Sequence, residues 1–176
     1  MTLLEATASL LKELKLVEKT RSITGLGSLL ECLHRDSGRR YIEFDAECLG
    51  SGEDYKFILS AFERLLGSEL KVKSLQVDGL EKSEARQGAD EGGISERVSV
   101  CLEVNGREIS SGWEQTDDWI TEEFFELLKE CERCLKGKIV KLEVDQCYRA
   151  IYLLDETEAL RLSKLFARIP TADIEL

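Results

Sequence analysis

Residues 98–113 constrain the fold more than any other stretch of this chain. Val98, Val100, Leu102 and Val104 occupy every second position, and Asn105-Gly106 follows at once. A period of two puts the four side chains on one face of a strand. Asn-Gly is the pair that fills a two-residue type I′ turn, whose central positions both need positive φ. Such a loop sets Val104 opposite Arg107, Leu102 opposite Ile109 and Val98 opposite Trp113. The apolar residues then share a face, so pattern and turn agree on one register. A chain that contains this hairpin contains an antiparallel sheet with a buried side.

The remaining periodicities are read around that hairpin. Leu3, Thr7, Leu10, Leu11, Leu14 and Val17 share one face of a helix over residues 2–19. The Thr24-Gly25-Leu26-Gly27-Ser28 stretch breaks it, and a short helix through Leu29, Leu30 and Leu33 ends near Asp36-Ser37-Gly38. Tyr41 to Asp45 alternates as a short strand with Ile42 and Phe44 on one face. Ser51 with Asp54 forms a capping box for a helix that buries Tyr55, Ile58, Leu59, Phe62, Leu65 and Leu66 and stops at Gly67. Leu70 to Val77 is a strand. Residues 78–94 hold four glycines and mixed charge, the composition of a long loop.

A helix over residues 117–136 buries Ile120, Phe124, Leu127, Leu128, Cys131 and Leu135, and Gly137 ends it. Strand 138–144 puts Val140, Leu142 and Val144 on one face. A two-residue turn after it would set Leu142 opposite Arg149. A three-residue turn of Asp145, Gln146 and Cys147 sets Val144 against Tyr148, Leu142 against Ala150 and Val140 against Tyr152. The three-residue turn is preferred because it keeps that face apolar. Asp155 with Glu158 caps a last helix to about Arg168.

From residue 53 the order is helix, three strands, helix, two strands, helix. Strands joined by hairpins imply an α+β fold, an antiparallel sheet of about five to six strands with helices packed on it. At 176 residues the chain is read as a single domain over 1–176, with a helical N-terminal extension at 1–38 and a sheet-and-helix core at 39–170. A chain of this length buries roughly 70% of its unfolded surface, so it needs neither metal nor disulfide to fold. Residues 1–5 lack a basic region followed by an apolar run, and no apolar stretch reaches the ~20 residues of a membrane span. The expected location is the cytoplasm. There the six cysteines (Cys32, Cys48, Cys101, Cys131, Cys134 and Cys147) are expected to be reduced and mostly buried thiols.

The chemistry of an enzyme is hard to assemble from these residues. His34 is the one histidine, and Cys32 lies two positions before it, which on a helix points the two side chains apart. Cys131-Glu132-Arg133-Cys134 has CxxC spacing, but no second pair completes four zinc ligands. It also falls late in a helix, where the dipole opposes a thiolate. Gly25-Leu26-Gly27 is not followed by a third glycine or a phosphate-binding lysine. No catalytic residue, cofactor site or metal site is therefore assigned.

Charge points to a partner instead. The formal net charge is −11, and residues 113–133 carry Glu114, Asp117, Asp118, Glu122, Glu123, Glu126, Glu130 and Glu132 against only Lys129 and Arg133. Glu122, Glu126 and Glu130 are like-charged neighbours four apart, each pair costing a few tenths of a kcal/mol (~0.2–0.5) relative to mixed charge. Charged helix positions are usually just the solvated face, and acids near a helix start favour the dipole. The competing reading is a binding face formed by Glu114, Asp117, Asp118, Glu122, Glu123, Glu126 and Glu130, which would attract a basic protein. Direct binding of nucleic acid is excluded, because residues 41–176 are strongly acidic and phosphate contacts need clustered bases.

Val104-Asn105-Gly106, Asp117-Asp118-Trp119-Ile120 leading into Phe124-Phe125-Glu126-Leu127-Leu128, then Leu142-Glu143-Val144-Asp145-Gln146 and Ile151-Tyr152-Leu153 together resemble immunity proteins of bacterial contact-dependent inhibition and related polymorphic toxin systems. The resemblance covers about 50 residues, roughly 104–154. It implies a small acidic protein, not an enzyme, that neutralises a cognate toxin by binding it; the acidic face above makes a basic toxin the expected partner. The element order from residue 53 also looks like that of small acidic type III secretion chaperones, which bind an effector segment as dimers. A monomer or a homodimer, no cofactor, no nucleic acid and no membrane are the corresponding expectations.

Overall fold

The computed structural model describes residues 2–18, 23–47, 49–79, 96–144 and 147–169. The elements are α1 (Leu3–Glu13), α2 (Leu26–Asp36), β1 (Tyr41–Asp45), α3 (Tyr55–Leu66), β2 (Leu70–Gly79), β3 (Glu96–Val104), β4 (Arg107–Gln115), α4 (Glu122–Glu132), β5 (Lys138–Val144), β6 (Cys147–Leu153) and α5 (Glu156–Phe166). The fold is α+β, and its six antiparallel strands divide into two three-stranded sheets, ordered β1-β6-β5 and β2-β3-β4. The described chain forms two compact units, residues 45–136 and the two flanking segments 1–44 and 137–176 taken together.

The 45–136 unit is organised by the β3–β4 hairpin. Its register pairs Val104 with Arg107, Leu102 with Ile109 and Val98 with Trp113, as the alternation requires. Asn105 and Gly106 take φ of 49° and 83°, the left-handed values a type I′ turn needs. Strand β2 adds to β3 with an irregularity between Val72 and Ser74. That extra residue reconciles a spacing that strict alternation forbids: Val72 faces Leu102 and Leu75 faces Val100, so both reach the same side. Helix α3 packs on β2 and α4 on β4. The tips of the two helices meet the sheet in an aromatic cluster, where the Tyr55 ring lies 4.9 Å from both Trp113 and Phe124. Such edge-on and tilted contacts add to plain burial. The Ser51–Asp54 capping box forms as expected, and Gly67 ends α3 at φ 60°.

The segments 1–44 and 137–176 build a second core from α1, α2, β1, β5, β6 and α5, with Leu11, Leu16, Leu29, Leu33 and Leu162 fully enclosed. Thr2 and Glu5 form a capping box at the start of α1. The helix ends at Glu13, several residues before the expected limit at 19. Lys15 turns left-handed at φ 57°, and the amides of Lys15 and Leu16 close back on the Lys12 and Leu11 carbonyls. This C-terminal cap redirects the chain so that Leu16 and Val17 are buried off the helix. The Arg40 guanidinium donates to the Leu14 and Lys15 carbonyls that the ending helix leaves open. Asp155 caps α5, accepting from the Glu158 amide at 2.9 Å.

The second hairpin corrects the sequence reading. Val144 pairs with Cys147, Leu142 with Arg149 and Val140 with Ile151, the two-residue connection, not the three-residue one. The core face therefore carries Arg149 beside Val140, Leu142, Ile151 and Leu153. What makes this tolerable is Glu43 on β1, whose Oε1 accepts from Arg149 Nη2 at 3.0 Å while its Oε2 accepts from the Tyr41 hydroxyl at 2.5 Å. A paired guanidinium can occupy a position that an unpaired charge could not. The register also leaves Tyr148, Ala150 and Tyr152 to the other face, where Phe44 stacks on Tyr148 at 4.8 Å. The expected loop over 78–94 falls almost wholly outside the described residues, and the described part, Asp78 and Gly79, continues β2.

Two outcomes test this account. Gly137→Ala places a methyl against the Leu153 carbonyl and 2.9 Å from the Tyr152 ring, and should lower stability in urea by about 2–3 kcal/mol as an overpacked site. Glu43→Gln should cost about 2 kcal/mol by removing the carboxylate that answers the Arg149 charge, whereas Arg149→Met should cost clearly less than that. Equal losses in the two variants would mean that Arg149 is held by packing and not by its charge partner.

Candidate functional site

The seven acids assigned from sequence are all exposed and all belong to the 45–136 unit. Their positions follow from how α4 docks. Phe124, Leu128 and Cys131 turn inward, so Glu122, Glu123, Glu126 and Glu130 must lie outward or to the flank. The flank faces β4. There the four glutamates, with Ser110, Ser111, Leu127 and Arg133, line an open groove of about 360 Å³. Glu114 does not line it. It stands on β4 with Arg97 at 3.6 Å, a surface ion pair of little energetic weight. Asp117 and Asp118 lie in the loop before α4 and are not groove residues either.

The charge of the groove is only partly answered. Lys129 Nζ lies 2.5 Å from Glu126 Oε1. This hydrogen bond holds the Glu126 carboxyl below its ordinary range and the Lys129 ammonium above its own. Glu122 and Glu123 open the helix, where negative charge suits the dipole, but Glu130 lies in the last turn, where it does not. The arrangement can present acceptors and negative potential to cationic groups. Ser110 and Ser111 carried no signal in the sequence, because only the packing of α4 on β4 brings them to the groove, whereas Arg133 caps α4 three positions after Glu130 and adds a base to the groove.

The acidic helix begins later than its composition implies. It starts at Glu122, with Thr121 extended at φ −69°, ψ 156° as its cap, not at 117. Residues 116–121 are instead a loop held from beneath by Gln115. This side chain is fully buried and donates to the carbonyls of Asp117 and Trp119, both at 2.7 Å. Its Oε1 accepts from the Tyr55 hydroxyl at 2.8 Å, and the Tyr55 oxygen accepts from the Thr121 amide at 3.2 Å. Burial pushes the Tyr55 hydroxyl above its ordinary range, so it remains a donor. Two further backbone bonds, Leu49 N to Asp118 O and Ile120 N to Ala46 O, fix the loop from the side. The signal for Gln115 was present in the sequence: it continues the buried period of Ile109 and Trp113 with a polar residue, which needs satisfied partners.

The other residues weighed for chemistry do not converge. His34 is exposed on α2, with its ring edge-on to Tyr41 at 6.5 Å. Among the described residues no group of three or more histidines, cysteines and acids is placed to hold a metal ion. Cys101, Cys131 and Cys134 are unbridged thiols. Burial pushes the Cys131 thiol up to about 12, while Cys134 is half-buried with Arg107 Nη1 3.7 Å from its sulfur. No helix among the described residues is long and apolar enough to cross a membrane.

Comparison with protein-family models, with characterised proteins and with solved structures finds no match to this chain.

Alkylation by iodoacetamide at pH 8 should therefore separate the CxxC pair. Cys134 should be modified in the folded protein, and Cys131, buried and still a thiol at that pH, should react only after denaturation. Peptide mass spectrometry that finds Cys131 alkylated as fast as Cys134 would contradict its placement.

Proposed function

We propose that this is a non-enzymatic, cytoplasmic binding protein that neutralises a basic protein toxin, as an immunity protein does. The observation that carries the reading is the row of Glu122, Glu123, Glu126 and Glu130 along one groove of the 45–136 unit, four acids against two bases, Lys129 bonded to Glu126 and Arg133 at the groove's end. Holding four like charges on one flank costs stability unless a cation answers them. The resemblance of residues 104–154 to immunity proteins supplies the kind of partner. Acids at an interface of this sort act mainly on encounter rate and specificity.

The first test is genetic: the product of the adjacent open reading frame should arrest growth when expressed alone, and this protein should restore growth and co-purify with it. The second is kinetic. Replacing Glu122, Glu123, Glu126 and Glu130 together by glutamine should leave the fold intact, because glutamine is also a good helix former. Association should slow by roughly 10-fold or more at low salt, with a flatter salt dependence. Unchanged association would mean that the row is only a solvated face. A stable dimer that captures an unfolded effector segment and protects against no toxin would move the reading to a secretion chaperone.

A further inference from the structure

An exposed tryptophan stands out among the described residues, most of whose large apolar side chains are buried or half-buried. Trp119 is 41% exposed, whereas Trp113 is 5%. Leu154 is exposed but carries no ring, and Phe57 and Leu160 are exposed too, but each of these two sits in a helix directly beside a base, Lys56 and Arg161. Trp119 differs in both respects. Its neighbours Asp117 and Asp118 are exposed acids, and the first base after it in the chain is Lys129. Its backbone is also fastened on both sides: its carbonyl accepts from Gln115 Nε2 at 2.7 Å, and its amide donates to Asp117 Oδ1 at 3.0 Å. A fully buried amide is thus spent on holding a surface loop in one conformation.

These properties are those of an interface anchor. Tryptophan is the residue most enriched at binding hot spots, and a pre-ordered loop loses little entropy on docking. The indole face attracts cations, arginine most of all, and carboxylates beside it raise the local cation concentration. We propose that Trp119 is the anchor of the partner-binding surface, with an arginine or lysine side chain of the basic partner stacked on its indole, and that Gln115 is a positioning residue for it. The proposal rests on the basic-partner reading above and names the contact on which affinity depends, where the groove acids govern encounter.

A deca-arginine peptide serves as the probe, titrated against the full chain at low salt. The parent should bind it with a change in indole emission. Trp119→Ala should weaken binding by about 5-fold or more, and Trp119→Leu equally, whereas Trp119→Tyr should retain most of it, since a ring face and not apolar area is what the cation meets. Gln115→Met should weaken binding to a similar degree and make Trp119 more accessible to acrylamide quenching, a change that a loss of stability alone would not produce in a chain still folded by circular dichroism. If Trp119→Ala and Trp119→Leu bind as the parent does while the quadruple glutamine variant fails, the indole is a bystander and the acidic face stands alone. If Trp119→Leu retains binding and Trp119→Ala does not, the anchor is apolar and the stacked cation is wrong. If the parent itself does not bind deca-arginine, the basic-partner reading fails together with this proposal.

Discussion

Four side chains on one face of β3 hold the 45–136 unit together. Val98, Val100, Leu102 and Val104 are sealed from water, and each is met across the strand by a residue of both neighbours. A sheet can be buried on one side only if every strand keeps its apolar residues on that side. β4 does so by a two-residue turn, and β2 does so by inserting a residue after Val72. The face so formed is where α3 and α4 attach, and the Tyr55, Trp113 and Phe124 rings are the junction. Every exposed feature of α4, the glutamate row included, inherits its direction from that junction.

The same unit contains a polar exception that the apolar logic does not require. Gln115 occupies a core position where a leucine or valine would pack without need of partners. Burying an amide is costly unless its hydrogen bonds are made. Here they are made to Asp117, Trp119 and Tyr55, and through Tyr55 to Thr121. A hydrogen-bonded core amide of this kind trades ease of packing for a defined loop. The loop it defines carries the exposed indole and two acids, which is why form and proposed function meet at this point.

The flanking unit makes a parallel exchange with charge. Arg149 on the core face of β6 is answered by Glu43 on β1, which Tyr41 also serves. The pair joins strands whose positions lie far apart in the chain, so its presence cannot be inferred from local pattern. Judged by alternation alone, an arginine opposite Leu142 looks like a register error, and the neighbouring register with Ala150 looks better. The structure adopts the arginine because a distant glutamate removes the penalty that the pattern argument assumed.

Local chemistry was sufficient wherever one short stretch contained both a pattern and a terminator. The Asn105-Gly106 hairpin, the Ser51 and Asp155 caps, the Gly67 stop and the α+β class are legible in this way, because turn geometry and capping depend on residues a few positions apart. The acids of α4 were legible as a cluster for the same reason. What tertiary contact decided was where those signals apply. Lys15 ends α1 early because Leu16 gains a buried site off the helix axis, and α4 starts late because Tyr55, Ala46 and Leu49, with Gln115 between them and the loop, hold residues 116–121 in a different shape. The groove needs β4 beside α4, the Arg149 register needs Glu43, and the conformation that exposes Trp119 needs Ala46, Leu49 and Tyr55 against residues 115–121. Each of these depends on free energy gained between residues distant in sequence, which no local periodicity encodes.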